Sequence, residues 1–440
     1  MITANFIVPS LFYWNQPFKQ QPLTQLYLAS IVDEHFQGRQ IQTKVTDLRG
    51  LNPAELHLHI AEPSELFLYS IASPDFREVF ALVEILRKKF PGAKHIAGGA
   101  HVNIFPEETA RVFDCVVSGS GEKSLIQLLE DFLRGDLKRS YELDPDYAHT
   151  RYPFPRRHYL PREKIVRDNL IKCAPGVLST STLFSHGCPF ICGFCANYNR
   201  RKSVRRSNAE MAAEIEYLQA NYGVTGLAML DEICIPLIEA ESRPYLETLK
   251  KYKVLWRGQS RVGIQPDVLK LAREAGCLEL NLGVESVSEK VMEIVKKRIK
   301  VEDVKAMIKN CKANDIKVYI NLVNGLPGEP KNIVQMTKDF IEETQPDLVN
   351  LFSLCLYPGS PIAEHPERYG IDPTTVQKDY HRMNHLVRRF KDSQAQDDAE
   401  EMVLFSYQAE GPFGPAFSRE EILANYENLQ EFVISRGLNK

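Results

Sequence analysis

Apolar strand-like runs alternate with amphipathic helical segments along most of this 440-residue chain, and that alternation leaves few folds open. A strand that reads as a continuous apolar run is buried on both faces, and the helix that follows it supplies the crossover parallel strands need. In residues 1–135 the strand-like runs are ANFIVPS (4–10), IQTKVTDLR (41–49), ELFLYSIA (65–72), AKHIAGGA (93–100) and CVVSGS (115–120). Helical patterns lie between them: LTQLYLASIVDEHF (23–36), FREVFALVEILRKKF (76–90) and EKSLIQLLEDFLRG, which ends near 135. Five such units predict a doubly wound α/β domain over residues 1–138, with helices on both faces of a parallel sheet.

The next stretch, 139–178, is rich in proline and charge (Pro145, Pro153, Pro155, Pro161, Pro175) and has no period, so it reads as a linker. A second β/α series starts at 179. Its strand candidates are STLFSHG (181–187), GLAMLDEI (226–233), VLWRGQSRVG (254–263), LELNLGVES (278–286), KVYINLVNG (317–325) and DLVNLFSLCLY (347–357). AEMAAEIEYLQANYG (209–223), PDVLKLAREAG (266–276) and VEDVKAMIKNCKAND (301–315) read as its helices. Six units over 179–365 predict a partial (β/α)6 barrel, where chemistry belongs at the C-terminal strand ends. Residues 366–440 read as a helical C-terminal cap with a turn at GPFGP (411–415). The first domain is expected to be flavodoxin-like.

Nine cysteines, an odd number and mostly scattered, do not form a disulfide framework and suit a reducing cytoplasm. Three are clustered. SHGCPFICGFCANYNRR places Cys188, Cys192 and Cys195 at C-x3-C-x2-C spacing. Soft thiolates this close can hold three irons of a cubane and leave the fourth open. A structural zinc would want a fourth ligand, and only His186 stands near enough to offer one.

This spacing, with the aromatic Phe194 between the last two cysteines, resembles the radical S-adenosylmethionine (SAM) superfamily. The resemblance implies a four-iron–four-sulfur cluster on Cys188, Cys192 and Cys195. Its open iron would chelate SAM and cleave it to a 5′-deoxyadenosyl radical. It also implies SAM contacts at successive strand ends: Asp231 and Glu232 after the second, Gln259 and Arg261 at the third, and Glu285 of GVES after the fourth, for the ribose hydroxyls. Gly325 of NGLPGEP, after the fifth strand, would face the adenine. YPGSPI (357–362), after the sixth, is a further family element.

The preceding domain resembles that of the cobalamin-binding subfamily. Gly98, Gly99 and His101 of GGAHVN, Ser118, Gly119 and Glu122 of SGSGEKS, and Ser70 of YSIAS fall where that subfamily meets cobalamin. The loop SLFYWNQPFKQQPLTQ lacks the histidine that ligates cobalt in many such domains, as it is lacking in several radical SAM members. Only Cys115 and Cys173 precede the barrel, so the extra cysteine triad of methylthiotransferases is not expected.

The resemblance therefore implies a cobalamin-dependent methyltransferase acting on an unactivated carbon, with cobalamin between the two domains. A variant of the same radical chemistry is oxidative cyclisation, rearrangement or coupling without methyl transfer. A non-catalytic metal or cobalamin sensor is the reading from another class. The substrate is expected to be a small molecule or peptide, and the electron donor a flavodoxin or ferredoxin; the basic stretch NRRKSVRR (199–206) reads as a solvated loop or, in a functional version, as the docking site of that acidic donor.

Cys234, Cys277, Cys311 and Cys355 read as buried core thiols. His365, His381 and His385 read as surface or packing residues, and Phe12-Tyr13-Trp14 as corrin-packing or an apolar lid. A net charge of −3 gives no reason to expect a nucleic-acid partner. No apolar run approaches a membrane span. The opening segment lacks signal-peptide features and reads as a first strand.

Overall fold

The computed structural model describes residues 1–10, 16–142, 153–196, 203–376, 403 and 405–439. They form two compact units that divide between Arg167 and Asp168. Phe12-Tyr13-Trp14, His381 and His385 lie outside the described residues.

In the first unit six parallel strands pair in the order β2-β1-β3-β4-β5-β6. They are β1 Ile2–Val8, β2 Ile41–Asp47, β3 Leu66–Ser70, β4 Lys94–Gly98, β5 Cys115–Ser118 and β6 Ser140–Glu142. Alternate residues feed two cores. Ile7, Phe67, Tyr69 and Ala97 pack with Val79, Leu82, Val83 and Leu86 of α1 Phe76–Lys89. Ala4, Phe6, Leu66, Leu68 and Ile96 pack on the other face with Leu125, Leu128 and Leu129 of α2 Gly121–Arg134, and with Ala29 and Val32 of the Leu23–Phe36 helix. Each apolar side chain so buried contributes about 1.5–3 kcal/mol, and covering both faces makes the sheet doubly wound. The sixth strand is an addition to the five expected. Its three residues, Ser-Tyr-Glu, carry one buried side chain and no apolar run, so they lie unmarked in the stretch read as linker.

The second unit has six parallel strands in sequential order, the strand order of an incomplete β/α barrel. They are β7 Ser179–Thr182, β8 Gly226–Met229, β9 Leu255–Ser260, β10 Cys277–Glu285, β11 Lys317–Asn324 and β12 Leu348–Ser353. The helix Asn208–Tyr222 starts at a capping box made by Ser207 and Glu210, and stops at Gly223 in the left-handed conformation. The helix Glu239–Tyr252 follows β8. Residues 171–173 reach the first residues of three strands. Ile171 meets Gly226, Lys172 lies 5.4 Å over the Tyr319 ring, and the Cys173 N–H donates to Glu279 Oε1 at 2.6 Å. A segment touching β8, β10 and β11 together crosses the N-terminal end of the sheet and floors its concave side.

The C-terminal residues have a definite task. Barrel-like sheets that stop at six strands leave a free edge on β12. Here the Val349 N–H donates to the Leu438 carbonyl at 2.8 Å, and Tyr426 Oη donates to the Leu351 carbonyl at 3.4 Å. Tyr426 belongs to the helix Arg419–Ser435, which a second capping box, Ser418 with Glu421, begins. Elsewhere in the described part of 366–439 there are short 3-10 turns, an antiparallel bridge between Ile371 and Tyr407, and a two-residue hairpin, Glu410–Gly411 with Gly414–Pro415, around the expected turn. Among the described residues no helix is long and apolar enough to cross a membrane.

Candidate active site

The three clustered cysteines leave β7 on a loop anchored at several points. Ser185 and His186 pair antiparallel with Arg205 and Val204. Ser185 Oγ donates to Asp231 Oδ1 at 2.5 Å, and the Phe184 N–H donates to Asp231 Oδ2 at 3.3 Å. Burial pushes the Asp231 carboxyl up to about 6, with the Ser185 hydroxyl and the Arg205 guanidinium opposing it. Arg205 donates to the Ile233 carbonyl at 2.7 Å and lies 4.9 Å over the Tyr245 ring. Asp231 and Arg205, expected at SAM and at an electron donor, are thus both engaged with the base of the cysteine loop. Residues 197–202 of the basic stretch lie outside the described residues.

Further along, the Gly193 N–H donates to the Val295 carbonyl at 2.7 Å, and its own carbonyl accepts from Ile362 N–H at 3.0 Å. A Cβ at Gly193 would sit 3.3 Å from Tyr369 Oη. Ile362 is the last residue of YPGSPI, so this motif tethers the loop. The cysteines grade from buried Cys192 through half-buried Cys188 to exposed Cys195, with Phe194 half-buried beside them. Burial raises the Cys188 thiol, and the Phe190 backbone N–H and Arg261 act against that rise. Glu232 is exposed, and its charge reaches Cys188. Among the described residues no group of three or more His, Cys, Asp or Glu side chains is arranged to hold a metal ion. Three soft thiolates on one short loop, with a cation beside them, suit an anionic iron–sulfur cluster.

Other strand ends converge on the same rim. Arg261, which follows β9, lies 3.8 Å over the Phe190 ring and points Nη1 at Cys192 Sγ, 3.9 Å away. Gln259 is exposed at the end of β9. Glu285 ends β10 with φ 70°, and its Oε1 accepts from Lys297 Nζ at 2.9 Å. Lys297 is a partner that the sequence did not single out, because it lies twelve residues downstream in an ordinary charged segment. Gly325 follows β11 at φ +82°, and a Cβ there would come within 2.9 Å of Ile422 Cγ2. Close approach of the C-terminal helix therefore explains this glycine without reference to a ligand. Glu329 closes the same loop, accepting from the Gly325 and Leu326 N–H groups at 3.1 Å.

In the first unit, Ser70 and Gly98 are register partners at the ends of β3 and β4, and Ser118 ends the adjacent β5. With Gly99 and exposed Gly119 they make a half-exposed ledge of small residues at the carboxyl ends of three strands, the edge where doubly wound sheets bind ligands. Gly99 has φ +98°, and a Cβ there would meet Ile71 N at 2.7 Å, so the backbone itself requires a glycine. His101 is fully buried, stacked 4.8 Å from Phe76 with Nδ1 3.2 Å from Ser73 Oγ. Its backbone N–H donates to the Ile71 carbonyl at 3.0 Å. Glu122 is buried in the first turn of α2.

Of the other thiols, Cys234, Cys277, Cys311 and Cys355 are buried as expected; Cys115 is buried as well, while Cys173 is exposed, and His365 is half-exposed near Glu367.

Residues 182–341 match the family model described as the radical SAM superfamily. The chain is 25% identical to an uncharacterized methyltransferase of Pyrococcus horikoshii, over 78% of each protein. It is 26% identical to the anaerobic magnesium-protoporphyrin IX monomethyl ester cyclase of Cereibacter sphaeroides, over 64% of this chain and 49% of that one. Its fold aligns with the radical SAM methyltransferase TsrM of Kitasatospora setae, solved with cobalamin and a [4Fe-4S] cluster, over 99% of both chains, with TM-score 0.68 and 13% identity. Residues 182–341 are a radical SAM domain, so this is a radical SAM enzyme that works with a four-iron–four-sulfur cluster and SAM.

Proposed function

We propose that this enzyme is a cobalamin-dependent methyltransferase acting on an unactivated carbon. The observation that carries the reading is the end-to-end fold match: a doubly wound unit followed by a radical SAM domain, aligned over 99% of both chains with a methyltransferase solved with cobalamin. The ledge of Ser70, Gly98, Gly99, Ser118 and Gly119 supports it. Small side chains at the carboxyl edge of β3, β4 and β5 let a bulky cofactor approach the backbone. Cys188, Cys192 and Cys195 are the ligands that fit the cluster.

When bound, cluster and SAM supply a carbon-centred radical and cobalamin supplies a methyl carrier. The chain's own residues do the positioning. Cys188, Cys192 and Cys195 would hold the cluster, which would bind SAM at a site the protein leaves unligated. Glu285, oriented by Lys297 on one oxygen, keeps its other oxygen for hydroxyl donors of the ribose. Glu232 and Gln259 are the exposed polar groups on the same rim. Arg261, beside Cys192, would offset the negative charge of a cluster held there. Asp231, Gly193 and Ile362 hold the loop still, and that stillness is worth rate because misplacement of reacting groups by an ångström is costly. The reductant fits a flavodoxin or ferredoxin, and free cysteines fit the cytoplasm.

Anaerobic reconstitution with iron, sulfide, reductant, cobalamin and SAM tests this. The expected result is 5′-deoxyadenosine, abolished by Cys192→Ala, together with S-adenosylhomocysteine in stoichiometric amount when substrate is supplied. A protein that takes up no cobalamin refutes methyl transfer and leaves the radical chemistry standing. The similarity to a cyclase favours one alternative: turnover with 5′-deoxyadenosine and no stoichiometric S-adenosylhomocysteine assigns a cyclisation or rearrangement.

A further inference from the structure

Register and packing determine which side chains face the concave side of the second sheet. Trp256 donates its Nε1–H to the Ala275 carbonyl at 2.8 Å, toward the helix layer. A Cβ on Gly258 would lie 2.7 Å from Cys234 Sγ and 3.4 Å from Met229 Cβ. Met229 in turn meets Tyr245 of the Glu239–Tyr252 helix, whose hydroxyl points at its sulfur. Trp256 and Gly258 therefore face the helices. Arg257 and Gln259 alternate with them along β9 and face the interior. The ladder carries this face across to β10, with Arg257 beside Glu279 and Gln259 beside Asn281.

These interior groups are poorly satisfied. Arg257 makes no hydrogen bond or close ion pair among the described residues, and its Nε is buried without a partner. Asn281 Oδ1 is buried without a partner as well. Gln259, beside it, is exposed toward the open end. Glu279 is the anion that acts on Arg257 without closing an ion pair on it; its Oε1 accepts the Cys173 N–H, and its Oε2 is buried without a hydrogen-bond partner among the described residues. A partly buried guanidinium without a close counter-ion, with the unfilled acceptors Glu279 Oε2 beside it and Asn281 Oδ1 two residues further on, is an arrangement completed by a ligand that offers both an acceptor and N–H or O–H donors.

We propose that the interior of this sheet binds a substrate as a monoanion, with its carboxylate on Arg257 and an amide-like polar group on Gln259 and Asn281. The planar guanidinium of Arg257, with its Nε buried and without a partner among the described residues, is the suited donor for one carboxylate. Arg257 and Gln259 are two residues apart on one strand, about 6.7 Å, so one small molecule spans both. An apolar face placed here would leave Arg257 and Asn281 buried and unpaired, which is how polar sites reject apolar competitors. This assignment rests on the radical SAM reading, which makes the barrel interior the place where substrate meets the radical.

The test is calorimetric titration of the reconstituted enzyme with N-acetylglycine and its neutral amide, N-acetylglycinamide. Wild type is expected to bind the acid about tenfold tighter or more, the size of one charge-assisted pair. Arg257→Met, which keeps the apolar stem, is expected to lose that preference. Asn281→Leu is expected to weaken both probes alike. If Arg257→Met does not fold, Arg257→Lys serves instead, with a reduced but surviving preference. No binding of the acid by wild type, equal binding of the two probes, or a preference undiminished in Arg257→Met overturns the proposal. The titration requires no turnover. A wild-type protein that makes no 5′-deoxyadenosine therefore refutes the radical reading separately.

Discussion

Arg261 Nη1 stands 3.9 Å from Cys192 Sγ, with the guanidinium 3.8 Å above the Phe190 ring. It is the cation that the structure sets against the cysteine loop, and it reaches there from the end of a different strand. A cation beside an iron–sulfur cluster stabilises the reduced, more negative state. Arg261→Gln is therefore expected to lower the midpoint potential of the reconstituted cluster. Loss of about 1.4 kcal/mol corresponds to ~59 mV for one electron. Iron content should stay at the wild-type level, because the three cysteines remain. Redox titration followed by electron paramagnetic resonance reads both, and an unchanged potential removes Arg261 from this role.

Gly283 makes room for the Glu285–Lys297 pair. A Cβ on Gly283 would lie 2.5 Å from Glu285 Oε1 and 2.8 Å from Lys297 Nζ. Gly283→Ala should displace the pair and weaken SAM binding. Glu285→Gln should weaken it by about tenfold to a hundredfold, the value of a hydrogen bond to a charged acceptor, with cluster content unchanged. Lys297→Met should instead cost stability, up to about 3 kcal/mol, because it strands a half-buried carboxylate. SAM titration and thermal unfolding separate the two effects. A SAM affinity indifferent to Glu285→Gln rules out the ribose contact.

How far the sequence foretold this site depends on distance along the chain. The cysteine loop was legible because its three thiols lie within eight residues and their spacing is chemical information in itself. The β/α alternation was legible because parallel strands buried on both faces read as apolar runs. β7 was placed a little late, at 181–187 rather than Ser179–Thr182, since Ser-Thr-Ser-Thr is buried without being apolar. The Asp231–Ser185–Arg205 staple and the Arg257–Glu279 neighbours are assembled from separate segments, so only the folded register brings them together. The packing of His101 was hidden for the same reason. GGAHVN marks a strand end, but the ring turns inward onto Phe76.

Glu329 gives the stability a pH dependence of known sign. Burial pushes its carboxyl from the ordinary 4.5 up to about 8, against the pull of the Leu326 and Gly325 N–H donors. Between these values the folded protein keeps a proton that the unfolded chain has released. Its contribution is complete below about pH 4.5 and is lost as pH rises through 8. Asp231 works in the same direction over a lower window, 3.8 to about 6. The difference between wild type and Glu329→Gln isolates the first group. Wild type should lose about 1–4 kcal/mol relative to the variant between pH 5 and 8. Parallel denaturation profiles for the two proteins would show that Glu329 does not titrate there.

Gly325 is claimed by two explanations, a SAM contact and room for the C-terminal helix, and one pair of variants decides between them. Its φ of +82° disfavours any side chain, and a Cβ would press on Ile422 Cγ2 at 2.9 Å. Gly325→Ala should therefore destabilise the protein by about 1–3 kcal/mol, part backbone strain and part overpacking. Ile422→Ala costs stability by itself, since it deletes a buried side chain. In combination with Gly325→Ala the cost should be less than additive, because the clash is gone. The remainder belongs to the backbone. The helix that carries Ile422 also brings Tyr426 to the free edge of β12, so loosening it exposes that edge. Chemical denaturation of the four proteins measures the coupling, and SAM titration runs beside it. If the double variant is fully additive and SAM binding is lost in Gly325→Ala alone, the glycine serves the ligand. If coupling is present and SAM affinity is retained, it serves the helix, as the geometry indicates.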